Sequence, residues 1–129
     1  MNILQNILNN LIILLRVKKI LYNIIIIIMV KVITNLTEIP QDKKVVIDFY
    51  ATWCGPCKDI SPKFITLSTQ YTDIVFLKVD VDNNESELIT KKYKIQSLPT
   101  FVFLNNDIII DTAVGSSKLY DKLDKLHKI

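Results

Sequence analysis

Cysteine and histidine are scarce in this chain, with two of the first and one of the second in 129 residues. Two cysteines cannot build the disulfide framework of a small secreted domain. Even with the single histidine they leave a four-ligand structural zinc site one ligand short. Charge excess is small as well. The net charge of +3 is too little to argue for nucleic-acid binding. Acidic residues are missing altogether before Glu38. What the chain has in quantity is apolar surface. Half of its residues are hydrophobic, which excludes a disordered chain, and its length suits one compact domain with no room for a second.

The missing acids divide the chain. Arg16, Lys18, Lys19 and Lys31 give residues 1–37 a charge of +4, whereas the remainder is nearly neutral. Residues 1–28 are read as a hydrophobic, basic leader and residues 29–129 as the domain. In the leader, Ile3, Leu4, Ile7, Leu8, Leu11 and Leu15 recur at helical spacing, which is an amphipathic pattern. The basic cluster at 16–19 interrupts it. A second apolar run from Ile20 to Val30 includes the five isoleucines Ile24 to Ile28. Neither run reaches the roughly 18 charge-free apolar residues of a membrane span. A secretory signal would need a small-residue cleavage site, and Met29 to Val32 offers none. A mitochondrial presequence would be richer in arginine and serine. An interfacial anchor, with an apolar face and three nearby cations, or an uncleaved signal remains as one reading, with targeting elsewhere beside it. The other is a dispensable extension, since Met29 opens a natural first strand and an upstream start codon in an AT-rich gene would yield such a run.

From Val30 strands and helices alternate. Val30–Thr34 reads as a strand, and Leu36–Gln41 as at most one turn because Pro40 lacks a donor. Val45–Tyr50 is an apolar, β-branched run typical of a strand buried on both faces. Ile60, Phe64, Leu67 and Tyr71 mark one face of a helix that Pro62 should kink. Ile74–Val81 is a second buried strand, giving a right-handed parallel crossover. Asn83 or Asn84 can cap a helix through Tyr93. Asn105-Asn106-Asp107 signals a hairpin between Thr100–Leu104 and Ile108–Asp111. Ser116 or Ser117 can cap a last helix with Leu119, Leu123 and Leu126 inward. His127 reads as a surface residue, and Lys58 as a solvated helix residue.

The chemistry lies in Trp53-Cys54-Gly55-Pro56-Cys57, between a buried strand and a helix start. Two intervening residues bring the sulfurs close enough for a disulfide in the helix's first turn. The helix N-terminus favours a thiolate on Cys54. The second sulfur can then attack a mixed disulfide within the same molecule. A Cys-x-x-Cys after a buried strand within a strand–helix–strand unit is a redox signal.

Residues 45–58 closely resemble the active-site segment of the thioredoxin family. The resemblance continues through Lys78-Val-Asp-Val-Asp82, Ser97-Leu-Pro-Thr-Phe101 and Val114-Gly115 and covers residues 30–129. It implies an α/β thioredoxin fold, with a central mixed sheet of four to five strands flanked by helices. Here that fold would carry a hydrophobic N-terminal extension. It also implies roles. Cys54 matches the attacking thiolate, Cys57 the resolving thiol and Asp48 the buried carboxylate that moves a proton at the resolving cysteine. Lys78 matches a lysine packed near that carboxylate. Gly55 and Pro56 match the pair that tunes the redox couple. Pro99 matches a cis-proline facing the sulfurs, leaving Leu98 backbone groups to pair with an extended substrate. Trp53 and Gly115 match the substrate-contacting surface. Burial should raise the pKa of Asp48, with Lys78 partly opposing.

The implied activity is reduction of protein disulfides, with no bound cofactor or metal. Thioredoxin reductase would regenerate the dithiol from NADPH. The protein would be a cytoplasmic monomer with no nucleic-acid partner. Rival readings are a membrane-anchored relative working in an oxidising compartment, a redox-independent subunit of a larger complex, and a metal–thiolate site shared by two chains. The chain departs from the family pattern in three places. Its first helix is cut to about a turn, which leaves the cover of one sheet face open, with the leader as one candidate for it. Asn106 stands in place of a turn glycine, and Ser97 in place of a glycine.

Overall fold

The structure, a computed structural model, describes residues 2–129, with side chains at all of these except 26–28. The first element is a helix, α1 (Ile3–Met29). Asn2 caps it, its side-chain oxygen accepting from the Gln5 N–H at 2.8 Å. The two apolar runs of the leader are thus one helix about 40 Å long. The basic cluster does not interrupt it, because Arg and Lys are good helix formers and no Gly or Pro intervenes. The apolar side chains from Ile3 to Ile25 are exposed. The rest of the isoleucine run, Ile26 to Ile28, lies outside the described side chains. Among the described residues, no helix is long and apolar enough to cross a membrane.

The domain follows as β1 (Val30–Val32), β2 (Lys44–Tyr50), α2 (Gly55–Gln70), β3 (Ile74–Asp80), α3 (Glu87–Lys92), β4 (Thr100–Asn105), β5 (Ile108–Val114) and α4 (Leu119–His127). The sheet order is β1-β3-β2-β4-β5. β3 runs parallel to both β1 and β2, while β4 is antiparallel to β2 and β5. This is the mixed, five-stranded sheet flanked by helices that the resemblance implies.

Alternation along the strands sorts residues onto two faces. Val46, Phe76, Phe101 and Phe103 pack under Ile60, Phe64 and Leu67 of α2 and the Leu119, Leu123 and Leu126 stripe of α4. Val45, Ile47, Phe49, Leu77, Val79, Val102 and Leu104 fill the opposite face. The leader does not cover that second face. Ile33, Leu36 and Ile39 do so, together with Ile89 and Tyr93. The short segment holds its shape through a capping box. Asn35 accepts from the Thr37 N–H, and the Glu38 carboxylate accepts from the N–H groups of Thr34 and Asn35. Buried Ile33 and Ile39, with half-buried Leu36 in the single 3-10 turn between them, thus cover a face where the family pattern has a helix.

Several local readings are refined. Asn83 caps a single 3-10 turn, Asn84–Ser86, that leads into α3. The hairpin turn is Asn106-Asp107, with φ of 51° and 64°. Asn and Asp are the side chains that best tolerate such values. Neither Ser116 nor Ser117 caps α4. Lys118 occupies the cap without a side-chain bond, and Ser116 supplies only its backbone carbonyl to the Leu119 N–H. His127 is paired, its Nδ1 lying 2.8 Å from Asp73 Oδ1 across the α4–β3 end of the domain.

Candidate active site

β2 delivers the chain to the edge of the sheet at Tyr50, and α2 begins five residues later. Cys54 is the N-cap of α2, and Gly55 and Pro56 are its first two residues. Proline is well placed there, since its missing N–H would have no helical partner. Cys54 and Cys57 form a disulfide with their Cα atoms 5.3 Å apart. The Cys57 N–H also donates to Cys54 Sγ at 3.2 Å. A helix N-terminus therefore directs a backbone donor at the first sulfur, as the spacing predicts. Both cysteines are nearly covered, at 5% and 3% exposure.

One side of the disulfide opens to a groove of about 570 Å³. Trp53, Cys54, Gly55, Pro56 and Leu98 line it, and the Thr90–Ser97 region forms its far wall. The Leu98–Pro99 peptide bond is cis. Gly115, at φ 79°, donates its N–H to the Pro99 carbonyl at 2.8 Å, which places it beside the proline, outside the groove lining. Trp53 is 70% exposed, and its indole N–H donates to Asp82 Oδ2 at 2.6 Å.

The other side is buried. The strand period that turns Val46 toward α2 turns Asp48 the same way, two residues on. Asp48 is fully covered, and neither of its oxygens has a hydrogen-bond partner among the described residues. Burial raises its pKa to about 7, and the charge of Lys78 works against that rise. Lys78 pairs with Asp48 in the β2–β3 register, yet its ammonium is directed elsewhere. It donates to Ser61 Oγ at 3.0 Å and lies 4.3 Å from the centre of the Tyr50 ring. A second cavity, of about 230 Å³, reaches in from the surface here, lined by Tyr50, Cys57, Lys58, Ser61 and Lys78.

Of the ten residues singled out from the sequence, Trp53, Cys54, Gly55, Pro56 and Leu98 line the groove, Cys57 and Lys78 line the second cavity, Pro99 and Gly115 adjoin Leu98, and Asp48 stands beside Lys78 in the sheet. Two neighbours were not singled out. Asp82 belongs to the Lys78–Asp82 motif, but nothing in its local pattern names Trp53 as its partner. Ser61 stands four residues after Cys57, one helical turn on, which was the available signal. Among the described residues, no three His, Cys, Asp or Glu side chains cluster as metal ligands.

Known proteins resemble the chain over this same region. The thioredoxin family profile matches residues 29–128. Thioredoxin-T of Drosophila melanogaster is 51% identical over 89 residues, covering 68% of this chain and 54% of its own length. The chain thus spans about half the length of that relative. Thioredoxin 1 of Plasmodium falciparum is 44% identical over 93 residues, 69% of this chain and 88% of its own. The crystal structure of Malassezia sympodialis thioredoxin superposes with a TM-score of 0.69 at 43% identity, over 76% of this chain and 90% of that one. A match that runs from the start of β1 to the end of α4, with both cysteines inside it, decides the family: this chain belongs to the thioredoxins.

Proposed function

We propose that the protein is a dithiol–disulfide reductase acting on disulfides of other proteins. The observation that carries this reading is the Cys54–Cys57 disulfide, set between an open groove and a buried, unpartnered carboxyl. In the reduced protein the Cys54 thiolate attacks one sulfur of a substrate disulfide. A Cys54–substrate bond forms, the substrate S–S bond breaks, and the first substrate sulfur leaves as a thiolate that takes up a proton. Cys57 gives its proton to the Asp48 carboxylate and attacks Cys54 Sγ. The mixed disulfide breaks, the second substrate thiolate leaves, and Cys54–Cys57 is oxidised. Two electrons have moved from the protein to the substrate.

The groove supports assigning substrate contact to Trp53 and Leu98, and the cis bond to Leu98 and the Gly115 N–H bond to Pro99 extend that assignment to Pro99 and Gly115. An extended substrate segment could pair with the Leu98 backbone while its disulfide meets Cys54. Gly55 leaves open space beside Cys54, where a side chain would narrow the approach. Gly55 and Pro56 set the balance of the couple by fixing the first turn of α2, and Lys78 does so by its charge near Asp48.

Turnover needs a reductant. We assign that part to a thioredoxin reductase supplied by NADPH, with the protein itself a cytoplasmic monomer that binds no cofactor. Residues 29–129 form the working domain, and residues 1–28 are outside it. Insulin reduction tests the reading. The wild-type chain should precipitate insulin in the presence of a thiol reductant or reductase. Cys54→Ser should not, and unchanged turnover in that variant would sink the assignment. Fractionating the full chain beside one that begins at Met29 tests the location. Recovery of only the full chain with membranes would favour an anchoring role for α1.

A further inference from the structure

The buried side of the disulfide contains an arrangement that the reductase reading leaves unused. Lys78 stands opposite Asp48 in the strand register and bears the opposite charge, so a direct ion pair would be its simplest partner. The ammonium is instead shared between the Ser61 hydroxyl of α2, at 3.0 Å, and the Tyr50 ring of β2, at 4.3 Å. A hydroxyl accepts from an ammonium without neutralising it, and an aromatic face attracts a cation. Together they hold the charge within the lining of the 230 Å³ cavity, which Lys58 and Cys57 share, and the Asp48 oxygens are left without a partner among the described residues.

We propose that Ser61 is a positioning residue for the resolving step: its hydroxyl holds the Lys78 ammonium apart from Asp48 and so lets that carboxyl accept and release a proton. The proposal rests on the reductase reading for its purpose, and on the geometry alone for its physical content. If the tether were lost, the lysine could swing to the carboxylate. A partner of opposite charge within a few ångströms commonly lowers a carboxyl pKa by about 1–3 units. Asp48 would then hold the proton too weakly to exchange it with Cys57 near neutrality. The other groups around Asp48 do not substitute for this contact. β4 presents Phe101 opposite it, and the Tyr50 pKa is itself raised, first by burial and then by the charges of Asp80 and Asp48. Lys58 is exposed at the cavity rim, and Cys57 is locked in the disulfide of the oxidised form.

The test is direct titration of Asp48 in the oxidised full chain, followed by the carbon NMR shift of its carboxyl. It requires no turnover, so its failure is distinct from failure of the reductase reading. Ser61→Ala should lower the midpoint by about half a unit or more. Ser61→Thr, which keeps a hydroxyl, should restore it. In a Lys78→Met background the midpoint should rise, and adding Ser61→Ala should then change nothing. The rate at which Cys57 releases a pre-formed mixed disulfide should follow the same order in its pH profile. An unmoved midpoint in Ser61→Ala, a rise there, or the same shift without Lys78 would each overturn the proposal.

Discussion

The two sides of the disulfide differ in almost every physical respect. The Cys54 side is an open groove under an exposed tryptophan, backed by a cis-proline. The Cys57 side is a narrow cavity above a carboxyl with no partner and a lysine held off to one flank. Residues on loops and helix ends shape the first, whereas strand alternation dictates the second. On the function proposed above, the difference gives one short motif two jobs: Cys54, on the groove side, serves recognition, and Cys57, on the buried side, serves proton transfer. Disulfide exchange needs both, because attack on a large substrate demands access and release demands a thiolate made inside the complex.

The largest expected effect separates the sulfurs. Replacing either cysteine should abolish turnover of insulin, but the variants should differ under non-reducing electrophoresis. Cys57→Ser should accumulate a covalent adduct with substrate at Cys54, since attack proceeds and release does not. Cys54→Ser should accumulate none. Equal adduct from both variants would erase the distinction between an outer attacking thiol and an inner resolving one.

Much of the buried side was legible in the residues themselves, and less of the open side. Asp48 is conspicuous as one acid in an apolar strand, and alternation from Val46 is enough to aim it at α2. Cys54 and Cys57 follow from spacing. The Asn106-Asp107 turn and the Leu119, Leu123 and Leu126 stripe were also readable, because local conformation and periodicity decide them. Contacts between segments distant in sequence were not. Trp53 meets Asp82 across 29 positions, and Lys78 meets Ser61 across 17. His127 meets Asp73 across 54. Each depends on where whole elements pack. The extent of α1 was hidden for a related reason. Three cations break an apolar pattern, but they do not break a helix. The cover on the second sheet face stayed open in the sequence because Ile33, Leu36 and Ile39 look too few to fill it.

Asp48→Asn gives the next largest effect and probes the inner side alone. Turnover at pH 7 should fall on the order of 100-fold, the low end of what a positioned proton acceptor contributes. The deficit should shrink as pH rises, because hydroxide can then deprotonate Cys57. Stability should move the other way. With a folded pKa of about 7, above the ordinary carboxyl value, the folded state binds the extra proton between about pH 4 and pH 7. Stability therefore falls as pH rises through that window and levels off above it. A rise of about three units corresponds to roughly 4 kcal/mol. Denaturant melts at pH 4 and pH 8 should show that decline in the wild type and its absence in Asp48→Asn. Parallel pH dependence in the two would mean that the carboxyl is ionised as easily inside as outside.

On the open side the matching experiment is Asp82→Ala. It releases the indole of Trp53, whose N–H it holds, without touching either sulfur. Losing one such bond should raise KM for a protein substrate about two- to tenfold. kcat and the pH profile should stay as they were, since no proton-transferring group has changed. A fall in kcat with KM unchanged would instead tie Trp53 to the chemistry and blur the division between the two sides.

The smallest effect is expected from removing α1. Among the described residues none of that helix lines either cavity, and it meets the domain chiefly at α2 and β1. Its apolar side chains from Ile3 to Ile25 are exposed, so their loss uncovers little of the core. The face that a missing family helix would have opened is already closed by Ile33, Leu36, Ile39, Ile89 and Tyr93. A chain beginning at Met29 keeps β1, its parallel pairing with β3 and both sides of the disulfide. Its insulin-reduction rate should lie within about twofold of the full chain, since surface changes away from a site rarely cost more than about 0.5 kcal/mol. A tenfold loss would show that α1 steadies α2 and, through its N-terminus, the attacking sulfur. The division would then lie between a leader-supported outer side and a self-sufficient inner one.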